Sequence, residues 1–397
     1  MTMLNLGLSH VRDALKLFYL DGLRYQLNDK ASVFLAQLEK TTNGVEGDKI
    51  VMALRHGRVG GIGNRADDGD LPTPNSRKTK QAKWETKNVF SRFQITDKTI
   101  AVSKSNLGSF TRLLQQEIED CEVDAKLDLS RQVLGDGTGA LATVSGSTHS
   151  GTTTTVTVDN TMFLAEGMII DILQANGTTR HDDVTGIEVD AVISDTQFTV
   201  TTSADRGVAS TDVVYVHGNR NLEMTGAEAV FAQDNTIYEI NRSQAANAWF
   251  KATRENVNGE ISEVVLQKAI DDAELKSGAT TNFMLTSHGV RRAYQNLQTA
   301  MKQHVNTMDL KGGWKALSYN GIPLAADKYM KAGKIYCLDL NNWAMYHVED
   351  WDWLDKDGAM LARVANKAAW EATLVKYCDL GCDLPRGQVE LYGITEH

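Results

Sequence analysis

Residues 107–134 read LGSFTRLLQQEIEDCEVDAKLDLSRQVL, and residues 135–139 continue with GDGTG. Apolar residues recur here at steps of three and four, the period of one helix face. This face comprises Leu107, Phe110, Leu114, Ile118, Cys121, Ala125, Leu129 and Val133. The pattern predicts a single helix about 40 Å long, which the glycines then end sharply. We expect such an isolated spine in an elongated protein that completes its burial against further copies of itself.

Composition places the chain among folded globular proteins. Its 397 residues suffice for two or three modules with real cores, and 42% hydrophobic and 23% charged residues argue against disorder throughout. A net charge of −10 argues against a dedicated nucleic-acid reader, although a local patch could still contact DNA. Apolar runs stay well below the roughly eighteen residues that a membrane helix needs. We therefore expect a soluble protein made in a cytoplasm, with no membrane partner.

Candidate catalytic and metal sites are weak. Asp136 to Gly139 could cradle a phosphate, but the segment follows a helix, whereas nucleotide loops follow a strand; a helix C-cap is the favoured interpretation. Ser287 and the next residue, a histidine, lack a nucleophile elbow, and Ser287 is a good helix cap. Cys378 and Cys382 have no histidine nearby to complete a zinc set, so buried thiols are favoured. We expect no catalytic residue, no cofactor and no metal, and hence no enzyme.

The segment from Gly57 to Lys83 cannot be a buried connection. Glycines, prolines and aspartates interrupt any period, and the second half is basic. It is either disordered or an extended arm, and its charges of opposite sign suit docking onto a neighbouring subunit. The candidate contact residues are Asp68, Asp70, Arg77, Lys78, Lys80 and Lys83.

Composition shifts abruptly between Leu141 and Val216, where lysine is absent and acidic residues dominate. Strand-like runs alternate there with Gly, Asn and Asp turns, beginning with the threonine run at 152–155. This predicts a small all-β domain, a barrel or sandwich, inserted at about 142–219 into an otherwise mixed fold.

Aromatic residues concentrate near the C-terminus. Trp343, Trp351, Trp353 and Trp370 could stack on bases or sugars, but the aspartates among them would repel phosphates. A role in the core or in a subunit contact is therefore favoured.

The order of these segments resembles that of the major capsid proteins of tailed bacteriophages, which have the Hong Kong 97-type shell fold. The resemblance covers nearly the whole chain except the β-insert. It is carried by RQVLGDGTGALA (131–142), DDGDLP (67–72), TIYEINR (236–242), FMLTS (283–287), NGIPL (320–324) and GKIYCLDL (333–340). Each motif is moderately specific, and their shared order and spacing carry the match.

The resemblance implies an α+β capsid fold with four parts and an insertion. We expect an N-terminal arm (1–49), an E-loop with flanking strands (50–98), a P-domain with the spine helix (99–141), the β-insert (142–219), an A-domain (220–370) and a return to the P-domain (371–397). In this fold the arm and the E-loop are expected to bury their surfaces only against adjacent subunits.

The implied function is that of a structural subunit that assembles through pentamers and hexamers into an icosahedral head around double-stranded DNA. The implied location is the virion capsid, assembled in the host bacterial cytoplasm. Expected partners are further copies of the chain, a separate scaffolding protein, a portal, a decoration protein, and packaged DNA by non-specific proximity. A separate scaffold is expected because the sequence starts almost at once with the arm. An encapsulin-type nanocompartment shell is an alternative, and an intracellular enzyme with a β accessory domain is a remoter one.

Overall fold

A computed structural model describes residues 32–47, 49–98, 107–174, 180–300, 307–311, 314–355 and 360–397, without the side chains of 107–116, 180–183 and 300. Most of the predicted N-terminal arm lies outside these ranges. Two compact units are present, one being Asp128–Gly226 and the other the remaining described chain.

Helices are few in the part of the chain that the structure describes. They are α1 (Val33–Gln37), α2 (Leu107–Leu134), α3 (Ala227–Phe231), α4 (Glu263–Ser277) and α5 (His288–Ala300). Short 3₁₀ turns cover Ala245–Phe250, Leu340–Asn342 and Pro385–Gly387.

Strands are numerous in the described chain. The first eleven are β1 (Glu39–Thr41), β2 (Val45–Glu46), β3 (Lys49–Arg55), β4 (Thr79–Glu85), β5 (Lys87–Thr96), β6 (Ala140–Ser150), β7 (Thr153–Val158), β8 (Ile169–Leu173), β9 (Arg180–Ser194), β10 (Gln197–Thr201) and β11 (Val213–Val216). The rest are β12 (Thr236–Ile237), β13 (Ile240–Asn241), β14 (Thr253–Gly259), β15 (Phe283–Thr286), β16 (Thr307–Asp309), β17 (Lys315–Tyr319), β18 (Ile322–Ala326), β19 (Ile335–Leu338), β20 (Trp343–Trp353), β21 (Ala362–Arg363), β22 (Ala369–Cys382) and β23 (Val389–Ile394).

The spine helix meets a long sheet that is antiparallel except for the parallel pairing of β1 with β20. Strands run in the order β1-β20-β22-β21, and β5 pairs with β22 from Thr96↔Ala369 to Lys87↔Cys378. Ser91 of β5 donates its hydroxyl to the backbone oxygen of Cys121 in α2, over 3.2 Å. Trp343, Trp351 and Trp353 are buried, as the core interpretation of the tryptophans predicted, whereas Trp370 is half-buried.

A second, seven-stranded sheet has the order β14-β23-β19-β15-β18-β17-β16, with α4 and α5 packed on it. Ser262 caps α4 by accepting the Val265 N–H, and Gly278 ends the helix at φ 76°. Ser287 caps α5 by accepting the Val290 N–H over 3.4 Å. The predicted cap at Ser287 is confirmed.

The predicted all-β insertion is a closed barrel in the order β10-β7-β6-β11-β8-β9. Alternate residues of β7 and β10 fill its interior, which centres on Val156, Val158, Phe198 and Val200. Strand β6 was not predicted from the sequence because its Gly, Ser and Thr residues are typical of loops.

Candidate inter-subunit surface

The predicted E-loop is a hairpin with two different parts. Its stem is the β3–β4 ladder, which runs from Lys49↔Glu85 to Arg55↔Thr79 and forms a three-stranded sheet with β2. One face of the stem is buried within the same unit and carries Ile50, Leu54, Ala82 and Trp84. The other face is open to solvent and carries the Lys49–Glu85 ion pair at 3.7 Å.

Beyond the stem, residues 56–78 form the arm. Its two branches lie close together: a Cβ on Gly57 would come within 2.8 Å of the Lys78 Cβ, and one on Gly60 within 2.9 Å of the Asn75 Cβ. A turn closes the tip, where the Gly69 N–H donates to the Ala66 oxygen over 3.0 Å. Nearly every side chain along the arm is exposed.

The tip of the arm is apolar as well as charged. Ile62 is 83% exposed and Leu71 is 87% exposed, so neither side chain is packed within its own subunit. Charged side chains flank them on both branches: Arg58, Arg65, Asp67, Asp68, Asp70, Arg77 and Lys78. Apolar anchors inside a charged rim are typical of protein–protein contact surfaces.

The structure divides the six predicted contact residues between arm and stem. Asp68, Asp70, Arg77 and Lys78 are exposed on the arm. Lys80 and Lys83 lie on β4 and are only half exposed. The Lys80 ammonium donates to Asn247 Oδ1 over 2.9 Å within the same chain.

The expectation that the E-loop buries its surface only against adjacent subunits is therefore wrong for the stem. Strand β4 alternates Lys80, Ala82 and Trp84 on one face, and the two apolar members are buried in their own subunit. Burial of this face gives the stem a core of its own, which the arm lacks.

The predicted spine-helix face is buried over the part that the structure describes. Ile118, Cys121, Ala125 and Leu129 are all buried. Leu107, Phe110 and Leu114 lie on the helix, but their side chains are outside the described residues.

The opposite face of α2 carries an acidic stripe. Val123 and Leu127 are exposed there beside Asp120 and Asp124, which lie one helical turn apart. Partial desolvation and the neighbouring charge of Asp120 raise the pKa of Asp124. This mixed acidic and apolar stripe is a second candidate contact surface.

The GDGTG segment connects α2 to the barrel. Asp136 Oδ1 accepts the Thr138 N–H over 2.9 Å and the Thr138 hydroxyl over 2.6 Å, so it closes its own turn. Gly137 and Gly139 have φ near 80°, which glycine adopts without strain. The geometry is that of a helix end leading into a strand, which agrees with the helix C-cap predicted from the sequence.

A buried ion pair joins two neighbouring strands of the long sheet, β20 and β22. The Lys376 ammonium is buried against Asp350 and lies 5.6 Å from the Trp351 ring centroid. Although burial opposes it, the charge of Lys376 lowers the pKa of Asp350 to about 2. Within the described residues, no three His, Cys, Asp or Glu side chains are grouped so that they could hold a metal ion. Likewise, none of the described helices is both long and apolar enough to cross a membrane.

Comparison with known proteins identifies the fold. No protein-family model and no curated protein matches the sequence. Among solved structures, the capsid chain of cyanophage A-1(L) aligns with a TM-score of 0.57 and 13% identity, over 91% of this chain and 93% of that one. A chain of the empty GTA particle capsid aligns with a TM-score of 0.49 and 9% identity, over 91% and 90% of the two chains. The SrpI encapsulin of Synechococcus elongatus gives 0.43 and 10%, over 92% and 89%. The chain has the Hong Kong 97-type capsid fold, as the resemblance predicted, with a β-barrel inserted.

Proposed function

We propose that this protein is the major capsid protein of a tailed bacteriophage, a structural subunit of the icosahedral head that encloses double-stranded DNA. The exposed arm with its apolar tip carries this proposal. Within one subunit, residues 56–78 have almost no core of their own, so an intermolecular surface is needed to offset the entropy of ordering them. The capsid fold of the whole chain supports the same conclusion.

In this proposal the chain retains the six parts expected from its sequence. The arm of the hairpin contacts a neighbouring copy through Asp68, Asp70, Arg77 and Lys78. Lys83 does so from the open face of the stem, while Lys80 braces the stem through Asn247. Pentamers and hexamers form through such contacts and close into the shell. A separate scaffolding protein and a portal take part in assembly in the host cytoplasm, a decoration protein binds the outside, and DNA is held by non-specific proximity.

Electron microscopy of the purified protein tests the proposal directly. The chain is expressed alone and together with a scaffolding protein encoded beside it, and particles are examined over a range of protein concentrations. We expect capsomers or closed shells in at least one of these states. A protein that stays monomeric at every concentration, with and without scaffold, contradicts the proposal.

The contents of native particles separate the two kinds of shell. Particles from the natural source should contain double-stranded DNA if the chain is a phage capsid protein. Particles that enclose a copurified enzyme and no DNA would instead make it an encapsulin-type compartment.

A further inference from the structure

A strained turn lies where the hairpin stem meets the rest of its unit. Strands β12 and β13 are joined by Tyr238 and Glu239, whose φ angles are 51° and 60°. Two-residue hairpin turns with positive φ at both positions strongly favour Asn-Gly. Large L-residues are disfavoured in this conformation because Cβ comes too close to the following carbonyl oxygen. Contacts outside the turn must therefore hold it.

Tyr238 makes those contacts, and they join two separate elements. Its ring lies 4.1 Å from the Trp84 ring of β4, centroid to centroid. Its backbone oxygen accepts the Lys83 N–H over 3.0 Å, again from β4. Its hydroxyl donates to the Leu380 oxygen over 3.0 Å and accepts the Cys382 N–H over 3.2 Å, both in β22. One buried side chain thus ties the hairpin stem to the long sheet.

Trp84 and Tyr346 pack closely against Gly381 beside Tyr238, and burial keeps the Tyr238 hydroxyl protonated. A Cβ on Gly381 would lie 2.9 Å from Trp84 Cζ2 and 2.4 Å from a ring carbon of Tyr346, so a larger residue would push the stem away from β22. Complete burial raises the pKa of Tyr238 well above its usual value. The hydroxyl therefore stays able to donate across the physiological range of pH.

A second attachment holds the hairpin at the residue that directly follows β3. His56, at the junction of stem and arm, stacks on Trp249 with ring centroids 4.4 Å apart and planes 11° apart. Trp249 belongs to the 3₁₀ turn Ala245–Phe250, which also supplies the Asn247 partner of Lys80. Stem and junction are both held by the segment that starts at the strained turn.

We propose that Tyr238 is a positioning residue that fixes the direction in which the hairpin leaves its own subunit before any neighbour is met. The inference rests on the proposed function, because a fixed direction matters only if the arm must find a site on another copy. An arm aimed in advance loses less freedom on docking, so association is faster and tighter. This explains why a strained Tyr-Glu pair occupies a turn that Asn-Gly would form more easily.

Distance measurements on unassembled subunits test the proposal. Spin labels are placed at Ala53→Cys on the exposed face of β3 and at Leu275→Cys on the exposed face of α4; the four native cysteines are buried and should not react. Tyr238→Asn suits the turn but removes the ring and the hydroxyl, so we expect the distance distribution to broaden at least twofold. Glu239→Gly relieves the second positive φ and leaves every anchoring contact, so its distribution should stay as narrow as that of the parent.

Two further variants keep the result decisive. Val290→Ala removes buried volume from the core below the second sheet and should lower the melting temperature without broadening the distribution. Tyr238→Phe removes only the hydroxyl bonds to β22 and serves if Tyr238→Asn does not fold; partial broadening is expected. Assembly should slow about tenfold in Tyr238→Asn. Distributions equally narrow in Tyr238→Asn and Tyr238→Phe would overturn the proposal. A parent protein that never assembles would refute the proposed function while leaving the distance result valid.

Discussion

Replacing the apolar tip of the arm should separate assembly from folding. The double variant Ile62→Asn, Leu71→Asn removes two aliphatic side chains that are 83% and 87% exposed in the subunit. Because they contribute little to the subunit's own core, its free energy of unfolding should change by less than about 0.5 kcal/mol. Complete burial of an Ile or Leu side chain contributes about 1.5–3 kcal/mol. Docking both tip residues against a neighbour is therefore expected to contribute about 3 kcal/mol or more to the free energy of association for each contact.

The expected change in assembly follows from that figure. Each 1.4 kcal/mol is about a factor of ten in an equilibrium constant, so the loss of about 3 kcal/mol for each contact should raise the protein concentration needed to form particles by about a hundredfold. Light scattering and sedimentation across a concentration series measure this threshold, and thermal denaturation of dilute subunits measures the stability. The parent and the variant should have the same melting temperature within the error of the measurement.

A matched control tests whether the location of the apolar residues matters. Val264 and Leu275 on α4 are 78% and 83% exposed, so Val264→Asn, Leu275→Asn removes a comparable apolar surface elsewhere. Its assembly threshold should change much less than that of the tip variant. Equal shifts in both variants, or none in the tip variant, would refute the argument that the arm carries the contact.

Three other changes have defined outcomes. Gly226→Ala would place a Cβ 2.3 Å from one backbone oxygen and 2.4 Å from another at the end of α2, so we expect about 3 kcal/mol of destabilisation in urea unfolding; an unchanged midpoint would contradict the packing. The pKa of Asp350 is lowered to about 2 from 3.8, so its ion pair should contribute about 2 kcal/mol at pH 7, and the stability difference between parent and Asp350→Asn should vanish as pH falls from about 4 to about 2; a difference independent of pH would rule out the ion pair as its cause. Limited trypsin digestion should cut free subunits after Arg77 and Lys78 but spare Lys80 in the ladder, and shells should resist at all three; equal cutting of subunits and shells would mean that the arm is a solvent tail.

Periodicity made the elements with strong local patterns predictable. Steps of three and four located α2 from Leu107 to Leu134, and alternation with turn residues located most strands of the barrel. These patterns report which face of an element is buried and not what covers it. Sequence could therefore identify the buried face of α2 but not the β5–β22 pairing, which joins Lys87 to Cys378.

The division between stem and arm shows the same limit at the candidate site. Lys80 and Arg77 belong to one basic cluster in the sequence, and no local signal distinguishes them. Their roles differ because Lys80 lies in strand β4, whereas Arg77 lies in the arm. Only two alternate residues after Lys80 are apolar, and so short a run does not identify a strand from the sequence. Its partner Asn247 is 167 residues away, so only the folded chain shows that this lysine is already engaged.

That division has a consequence for how the hairpin tolerates change. Substitutions in the stem, such as at Trp84, alter buried contacts within one subunit and should affect folding and assembly together. Substitutions at exposed arm positions such as Leu71 remove surface that the single subunit does not use, and should affect assembly alone. The strained turn at Tyr238 is the point where the two requirements meet, because its contacts stabilise one subunit while their purpose is to aim a segment at the next.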